Sequence, residues 1–304
     1  MTDVPTLIRP DAAQELIDGA PAAEALARVP VARKKHSILV WACAAWLVLI
    51  FALAITAPLL PLPSYAIPIG PPRLPPSGES VGFWLGTDNI GRSVISRLIY
   101  GAQVSLLVAT VSGLFCFFVG GILGLVAGYA SKGLDAAVGL FSDVMLAFPP
   151  LILLLALSSV LAPNAATIIL GLSMLGLPTF IRLSRAHTMS WSAREFVRAA
   201  RNMGATTPRI LFREIMPNVV PALAAYLPIV MSAMIVAEGS LSFLGLGIAP
   251  PTPSWGGMIA AGKDSLASDP QLVFIPAAAI FLTVLSLNIV GDQLRVKFDR
   301  TVHE

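Results

Sequence analysis

Two carboxylates interrupt otherwise apolar stretches of this chain, Asp143 in GLFSDVMLAF and Glu238 in IVAEGSLSF. An ionisable side chain in such a run is costly unless it faces protein or water, so it marks a solute path, a proton relay or a polar tie between helices. Both are candidates for a pathway. Glu238, the more deeply embedded acid, is read as lying near that path, as holding two helices in register, or as making an internal hydrogen bond. For Asp143 the competing reading is solvation near the end of its segment. A third constellation, Gly257 to Asp264 (GMIAAGKD), nearly fits a phosphate-cradling loop, but Asp264 stands where a magnesium-binding hydroxyl is needed and no strand precedes it. It is discounted. His36, His187 and His303 are too scattered for a metal site or a catalytic triad, and Cys43 and Cys116 sit inside apolar runs, where a buried free thiol is the default. No catalytic residue and no metal-ligand set is expected.

The elements that must position these residues follow from composition. Hydrophobic residues make up 56% of the chain and charged ones 12%, with a mean hydropathy of +0.80. That balance belongs to an integral membrane protein, here an all-α polytopic one. Its formal charge of +3 carries no implication of nucleic acid, because the charges sort by side of the membrane. Residues 1–37 are polar and punctuated by Pro5, Pro10, Pro21 and Pro30, which reads as a cytoplasmic tail with a short amphipathic helix over Ala12 to Ala27 as an option. Arg33-Lys34-Lys35 then precedes the first span, residues 38–60, too long and too far from the start for a cleaved signal. A Pro- and Gly-rich extracytoplasmic loop over 61–103 leads to a permeating core over 104–295 with further spans at 104–129, 136–161, 165–181, 219–248 and 272–289, and a tail over 296–304. Phe148-Pro149-Pro150 interrupts the third span. Gly120, Gly124 and Gly128 form one small-residue face in the second, open equally to packing within the chain and to a second subunit. Trp255 is expected at the membrane-water boundary. In this layout every Lys and Arg except Arg73, Arg92, Arg97 and Lys263 falls on one side, which places both termini in the cytoplasm.

Between the fourth and fifth spans lies a charged loop, residues 187–218, whose core is the island Ser192 to Asn218. Ser192 three residues before Glu195 has capping-box spacing, and Gly204 ends the helix so begun. Phe196, Ala199, Ala200 and Met203 form an apolar stripe, with Arg194, Arg198 and Arg201 opposite. Thr207 before Pro208 reads as the N-cap of a second short helix that Pro217 stops. Two short basic helices also suit a DNA-binding helix-turn-helix, but flanking spans tether this pair to a bilayer.

Ala199-Ala200, then Gly204, then Ile215-Met216-Pro217 closely resembles the cytoplasmic "EAA" loop of ABC importer permeases, whose short helix docks into a cleft on the ATPase subunit. The strict pattern has Glu immediately before the two alanines; here Arg198 holds that place and Glu195 lies one turn earlier. Other segments are similar to the C-type subunit of dipeptide and oligopeptide importers: Leu85-Gly86-Thr87-Asp88 through Ala102 (with Ser93 where the family often has Asp and Gln103 where it has a basic residue), Ala237 to Gly247, the signature Pro250 to Gly256, and Gly291 to Arg295. The resemblance spans about Trp84 to Arg300. It implies a six-helix type I ABC importer permease in the bacterial inner membrane, a transport subunit and not an enzyme. The implied coupling residues are Glu195, Phe196, Arg198, Ala199, Ala200, Met203, Gly204 and Ala205. The implied partners are a homologous second permease subunit, two ATPase subunits or domains that hold ATP and Mg, and an extracytoplasmic substrate-binding protein; the chain itself is expected to bind no cofactor. A short peptide is the expected cargo, although relatives carry nickel chelates, sugars and other solutes. The alternative from another class is an ion-coupled secondary transporter, for which Asp143 and Glu238 are the ionisable candidates. A membrane-embedded enzyme would need a catalytic cluster that the chain lacks.

Overall fold

Long apolar runs with no polar face leave a chain one way to satisfy its backbone in lipid, the α-helix. A computed structural model describes residues 38–129, 131–161 and 164–301, and among them the regular structure is helical. The tail over 1–37, its optional helix at Ala12 to Ala27 and the basic run Arg33-Lys34-Lys35 lie outside the described residues. In order the helices are α1 (Ile38–Thr56), α2 (Val94–Tyr129), α3 (Lys132–Ala147), α4 (Pro150–Val160), α5 (Ala165–Ser192), α6 (Glu195–Asn202), α7 (Thr207–Phe243), α8 (Trp255–Gly262) and α9 (Gln271–Thr301). Five of them, α1, α2, α5, α7 and α9, are long and apolar enough to cross a membrane, and the pair α3 and α4 makes a sixth span if taken together. Large apolar side chains such as Trp41, Val48, Phe118 and Phe281 stay exposed around this bundle, as a lipid-facing surface requires.

Three boundaries differ from the sequence reading, each for a local reason. Helix α2 begins at Val94, not Val104, because Ser93 caps it by accepting from Ser96 N and because Arg97, which looked like a loop residue, is satisfied inside the fold by the Tyr65 carbonyl at 3.1 Å. The third span is bent by 84° between α3 and α4. Phe148 and Pro149 are extended there, since each precedes a proline, and proline rings supply no N–H to continue the ladder. Helix α5 continues past Ile181 to Ser192, since Arg182 and Arg185 on its flank pair with Asp143 and Asp135 of α3.

Close approach of α2 and α5 decides the role of the glycine face. A side chain at Gly124 would place its Cβ 2.3 Å from the Ile181 carbonyl, and one at Gly128 would meet the Arg185 carbonyl at 2.8 Å. The stripe is therefore packed within this chain. Hydroxyls seal the contact: Ser112 donates to Ile169 O at 3.2 Å and Ser184 to Gly121 O at 2.6 Å. Elsewhere Trp46 Nε1 donates to Thr283 Oγ1 at 3.1 Å, joining α1 to α9, and Asn288 Nδ2 donates to Ser232 Oγ at 2.9 Å, joining α9 to α7.

The connections gather at two ends. At one, the loop end, residues 57–93 fold against α8 and residues 263–270. Asn89 Nδ2 donates to Ala261 O at 2.6 Å, and Ser265 Oγ donates to Asn89 Oδ1 at 3.0 Å. Gly-Thr-Asp at 86–88, whose role the sequence did not disclose, is the knot of this loop. Thr87 Oγ1 donates to Pro71 O and accepts from Leu74 N, both at 2.8 Å, and Asp88 accepts from the backbone of Ile90 and Arg92 and from Arg92 Nε. Gly86, at φ +76°, has a position where any Cβ would fall 2.2 Å from the Leu74 carbonyl. At the opposite end, the elbow end, α6 projects between α5 and α7.

Candidate functional site

Helix α6 is short, and its ends are set by backbone more than by side chains. Arg194 is the N-cap, extended at φ −71° and ψ 152° with no side-chain bond. The expected capping box does not form, because Ser192 is still in the last turn of α5, where its hydroxyl donates to Met189 O at 2.8 Å. At the other end Gly204, at φ +81°, reverses the chain, with Ala205 N donating to Ala200 O at 3.1 Å and Gly204 N to Arg201 O at 3.0 Å, a glycine-terminated helix end of the kind anticipated. The following N-cap is Thr206, not Thr207; Pro208 falls in the first turn of α7. Pro217 does not stop that helix. A π-helical stretch, Ile210–Ile215, precedes it, and α7 runs on through Pro217, Pro221 and Pro228.

The faces of α6 divide the expected stripe. Val197, which the periodic reading passed over, is fully buried, and Ala200 beside it is also buried; Phe196, Ala199 and Met203 are exposed, Met203 at 82%. Valine and alanine at i and i+3 were the usable signal for the anchoring side. Of the other coupling candidates, Glu195, Arg198 and Gly204 are exposed and Ala205 is half-buried. The arginines tie the helix back to the body: Arg201 donates to Tyr129 OH at 2.8 Å and lies 5.3 Å from that ring's centroid, Arg198 donates to Ala193 O, and Arg194 stacks over Trp191. The result is a projection tied to the body, with Met203 and the part of Phe196 not packed against Trp191 exposed.

The two acids are not brought together. Asp143 is 66% exposed and pairs with Arg182 at 2.6 Å in a cleft of about 400 Å³ between α3 and α5, where Asp135 and Arg185 form a second, bidentate pair. Glu238 is completely buried near the loop end of α7. Its Oε1 accepts from Ser242 Oγ at 2.7 Å and its Oε2 from Ser105 Oγ at 3.0 Å, so it joins α7 to α2. Trp255 was misplaced by the sequence. It is fully buried rather than at a lipid boundary, its Nε1 donating to Leu98 O at 3.0 Å and its ring lying against Gly101, whose missing side chain leaves the room. The phosphate-loop decoy is α8, a helix capped by Ser254, whose hydroxyl accepts from Gly257 N at 3.1 Å. Among the described residues no group of His, Cys, Asp and Glu could hold a metal ion.

Comparisons with known proteins bear on the family and the fold. The family profile described as "Binding-protein-dependent transport system inner membrane component" matches residues 120–304. The di/tripeptide transport system permease protein DppC of Pseudomonas aeruginosa is 37% identical over 74% of this chain and 75% of its own. The dipeptide transport system permease protein DppC of Alkalihalophilus pseudofirmus is 35% identical over 81% of each. The glutathione transport system permease protein GsiD of Pectobacterium atrosepticum is 36% identical over 73% of this chain and 74% of its own. Among solved structures, the MetNI methionine ABC transporter in an inward-facing form matches with a TM-score of 0.51 at 17% identity, over 66% of this chain and 96% of that one, a likeness of fold alone.

Proposed function

The chain belongs to the family of inner membrane components of binding-protein-dependent transport systems, and from that premise we propose how it couples and what it carries. It is a multi-pass permease subunit of an ABC importer in the bacterial inner membrane; hydrolysis of ATP resides in partner subunits. The family works with ATPases and a substrate-binding protein. In our reading this chain pairs with one homologous permease, two ATPase subunits or domains, and an extracytoplasmic binding protein. ATP and Mg belong to the ATPases and no cofactor to this chain.

The elbow is the coupling element, and the observation that carries this is the exposed pair Phe196 and Met203 on a helix whose other side is anchored by Val197 and Ala200. An apolar face on so charged a helix suits a protein partner. Glu195, Arg198, Ala199, Gly204 and Ala205 complete the projection. Closure of the ATPases would push on this elbow and tilt α5 and α7, which flank it in sequence, switching the pathway between its two openings. With the elbow cytoplasmic, both termini are cytoplasmic and the loop end faces outward. The cargo is a short peptide, by analogy with the peptide and glutathione systems for which the relatives are named. The ion-coupled alternative rests on Asp143 and Glu238, the one in an open ion pair and the other enclosed by serine hydroxyls. Uptake of labelled dipeptides and tripeptides by cells with and without the gene tests the cargo. Loss of uptake on deletion is expected, and unchanged uptake of all of them would refute the peptide reading.

A further inference from the structure

Around Glu238 hydrogen bonds converge from two sides, and each begins at a backbone amide. A backbone N–H can only donate, so Trp255 N donates to Ser105 Oγ at 3.3 Å, and Ser105 passes its own proton to Glu238 Oε2 at 3.0 Å. Gly257 N likewise donates to Ser254 Oγ. Ser254 Oγ lies 3.3 Å from Ser242 Oγ, a contact in which either hydroxyl can donate, and Ser242 donates to Glu238 Oε1. Two hydroxyl chains thus start at amides in the first turn of α8 and end on the two carboxylate oxygens, one through α2 and the other through α7. Every side chain in the two chains, Ser105, Ser242, Ser254 and Glu238, is buried. The backbones meet closely enough to permit this because Gly256 faces Gly239: a Cβ on Gly256 would fall 2.6 Å from the Gly239 Cα. Through the bond from Asn89 to Ala261 the same helix α8 holds the loop over 57–93, and Ser265, just beyond the helix, adds a second bond to Asn89.

We propose that Glu238 is a positioning residue that locks α8, and with it the whole loop-end cap, to α2 and α7, so that a binding protein seated on the cap acts directly on those spans. This rests on the permease reading. Glu238 accepts at both oxygens; glutamine would present an N–H toward one of these two hydroxyls, and that chain would lose its accepting end.

The test uses the assembled transporter in proteoliposomes, with ATP turnover measured alone and with saturating cognate binding protein. Glu238→Gln, Ser105→Ala and Ser254→Ala are each expected to keep basal turnover within about twofold while losing binding-protein stimulation by about fivefold or more, the scale of a coupling between sites. Ser254→Thr, which keeps the hydroxyl, is expected to retain stimulation. Wild-type stimulation in all three disruptive variants would overturn the proposal. So would parallel loss of basal and stimulated turnover in every variant including Ser254→Thr, which marks mere packing. Should Glu238→Gln not assemble, the two serine variants decide. Absence of any ATPase from the wild-type complex would strike the permease reading instead and is seen before a variant is made.

Discussion

Gly204 and Trp255 show what single residues contribute here. Nothing lies within 4 Å of a Cβ built on Gly204, so a substitution there acts only through the backbone, whose positive φ disfavours other residues by about 1–2 kcal/mol. Gly204→Val should reduce uptake with little change in the amount of transporter recovered, and Gly204→Asn, which tolerates this conformation, should reduce it less. Uptake assays normalised to purified transporter check the order of the two. Trp255 is the opposite case. Its burial predicts that Trp255→Ala costs about 3–5 kcal/mol and abolishes recovery of a monodisperse protein in detergent, while Trp41→Ala, on an exposed ring, leaves recovery unchanged. Fluorescence-detected size exclusion distinguishes them. Sequence could not separate these tryptophans, because an aromatic residue beside a Pro-rich loop suits a lipid boundary and a buried pocket equally. The pocket is made by Gly101 and the Leu98 carbonyl, both distant in sequence.

At the scale of elements, α6 was legible as a helix ended by Gly204 but not in its rotation. The stripe Phe196, Ala199, Ala200 and Met203 leaves out Val197, and in the structure Ala200 turns to the buried side with Val197 while the other three stay exposed. The body of the protein buries Val197 and Ala200, while Met203 and the part of Phe196 not packed against Trp191 stay exposed. Phe196→Glu with Met203→Glu is therefore expected to preserve the fold and remove ATPase association, whereas Val197→Asp, burying an unpaired charge, should destabilise the permease itself. Thermal unfolding of the isolated chain, run beside a pull-down of the ATPase, separates the two effects. Helices α3 and α5 offer a charge test. Asp135→Arg should weaken their contact, and adding Arg185→Asp should restore it, read as recovery of the unfolding midpoint. The bend between α3 and α4 was legible as a break at Pro149-Pro150, but its 84° angle was not, because proline chemistry ends a helix without aiming the next one.

For the whole molecule, composition was enough to read a helical membrane bundle, since lipid allows a backbone few other choices. The inner contacts were not readable. Helices that are apolar all round carry no stripe to say which side meets protein, and the Gly120, Gly124 and Gly128 face was settled only by its contact with α5. The loop-end knot was equally hidden, being built from a threonine hydroxyl and carbonyls spread over residues 71–87. The orientation proposed from the charge distribution is open to test. Because Cys43 and Cys116 are buried, a cysteine placed at Met203 should react with an impermeant thiol reagent in inverted vesicles, and one at Ile90 in intact spheroplasts. The reverse pattern would invert the topology. Whether α6 holds the ATPases is decided by purifying the tagged chain from its native membrane, wild type beside Phe196→Glu with Met203→Glu. An ATPase subunit is expected to travel with the wild-type chain and to be absent from the double variant; a wild-type chain that purifies alone and moves solute on an ion gradient would refute this role of α6.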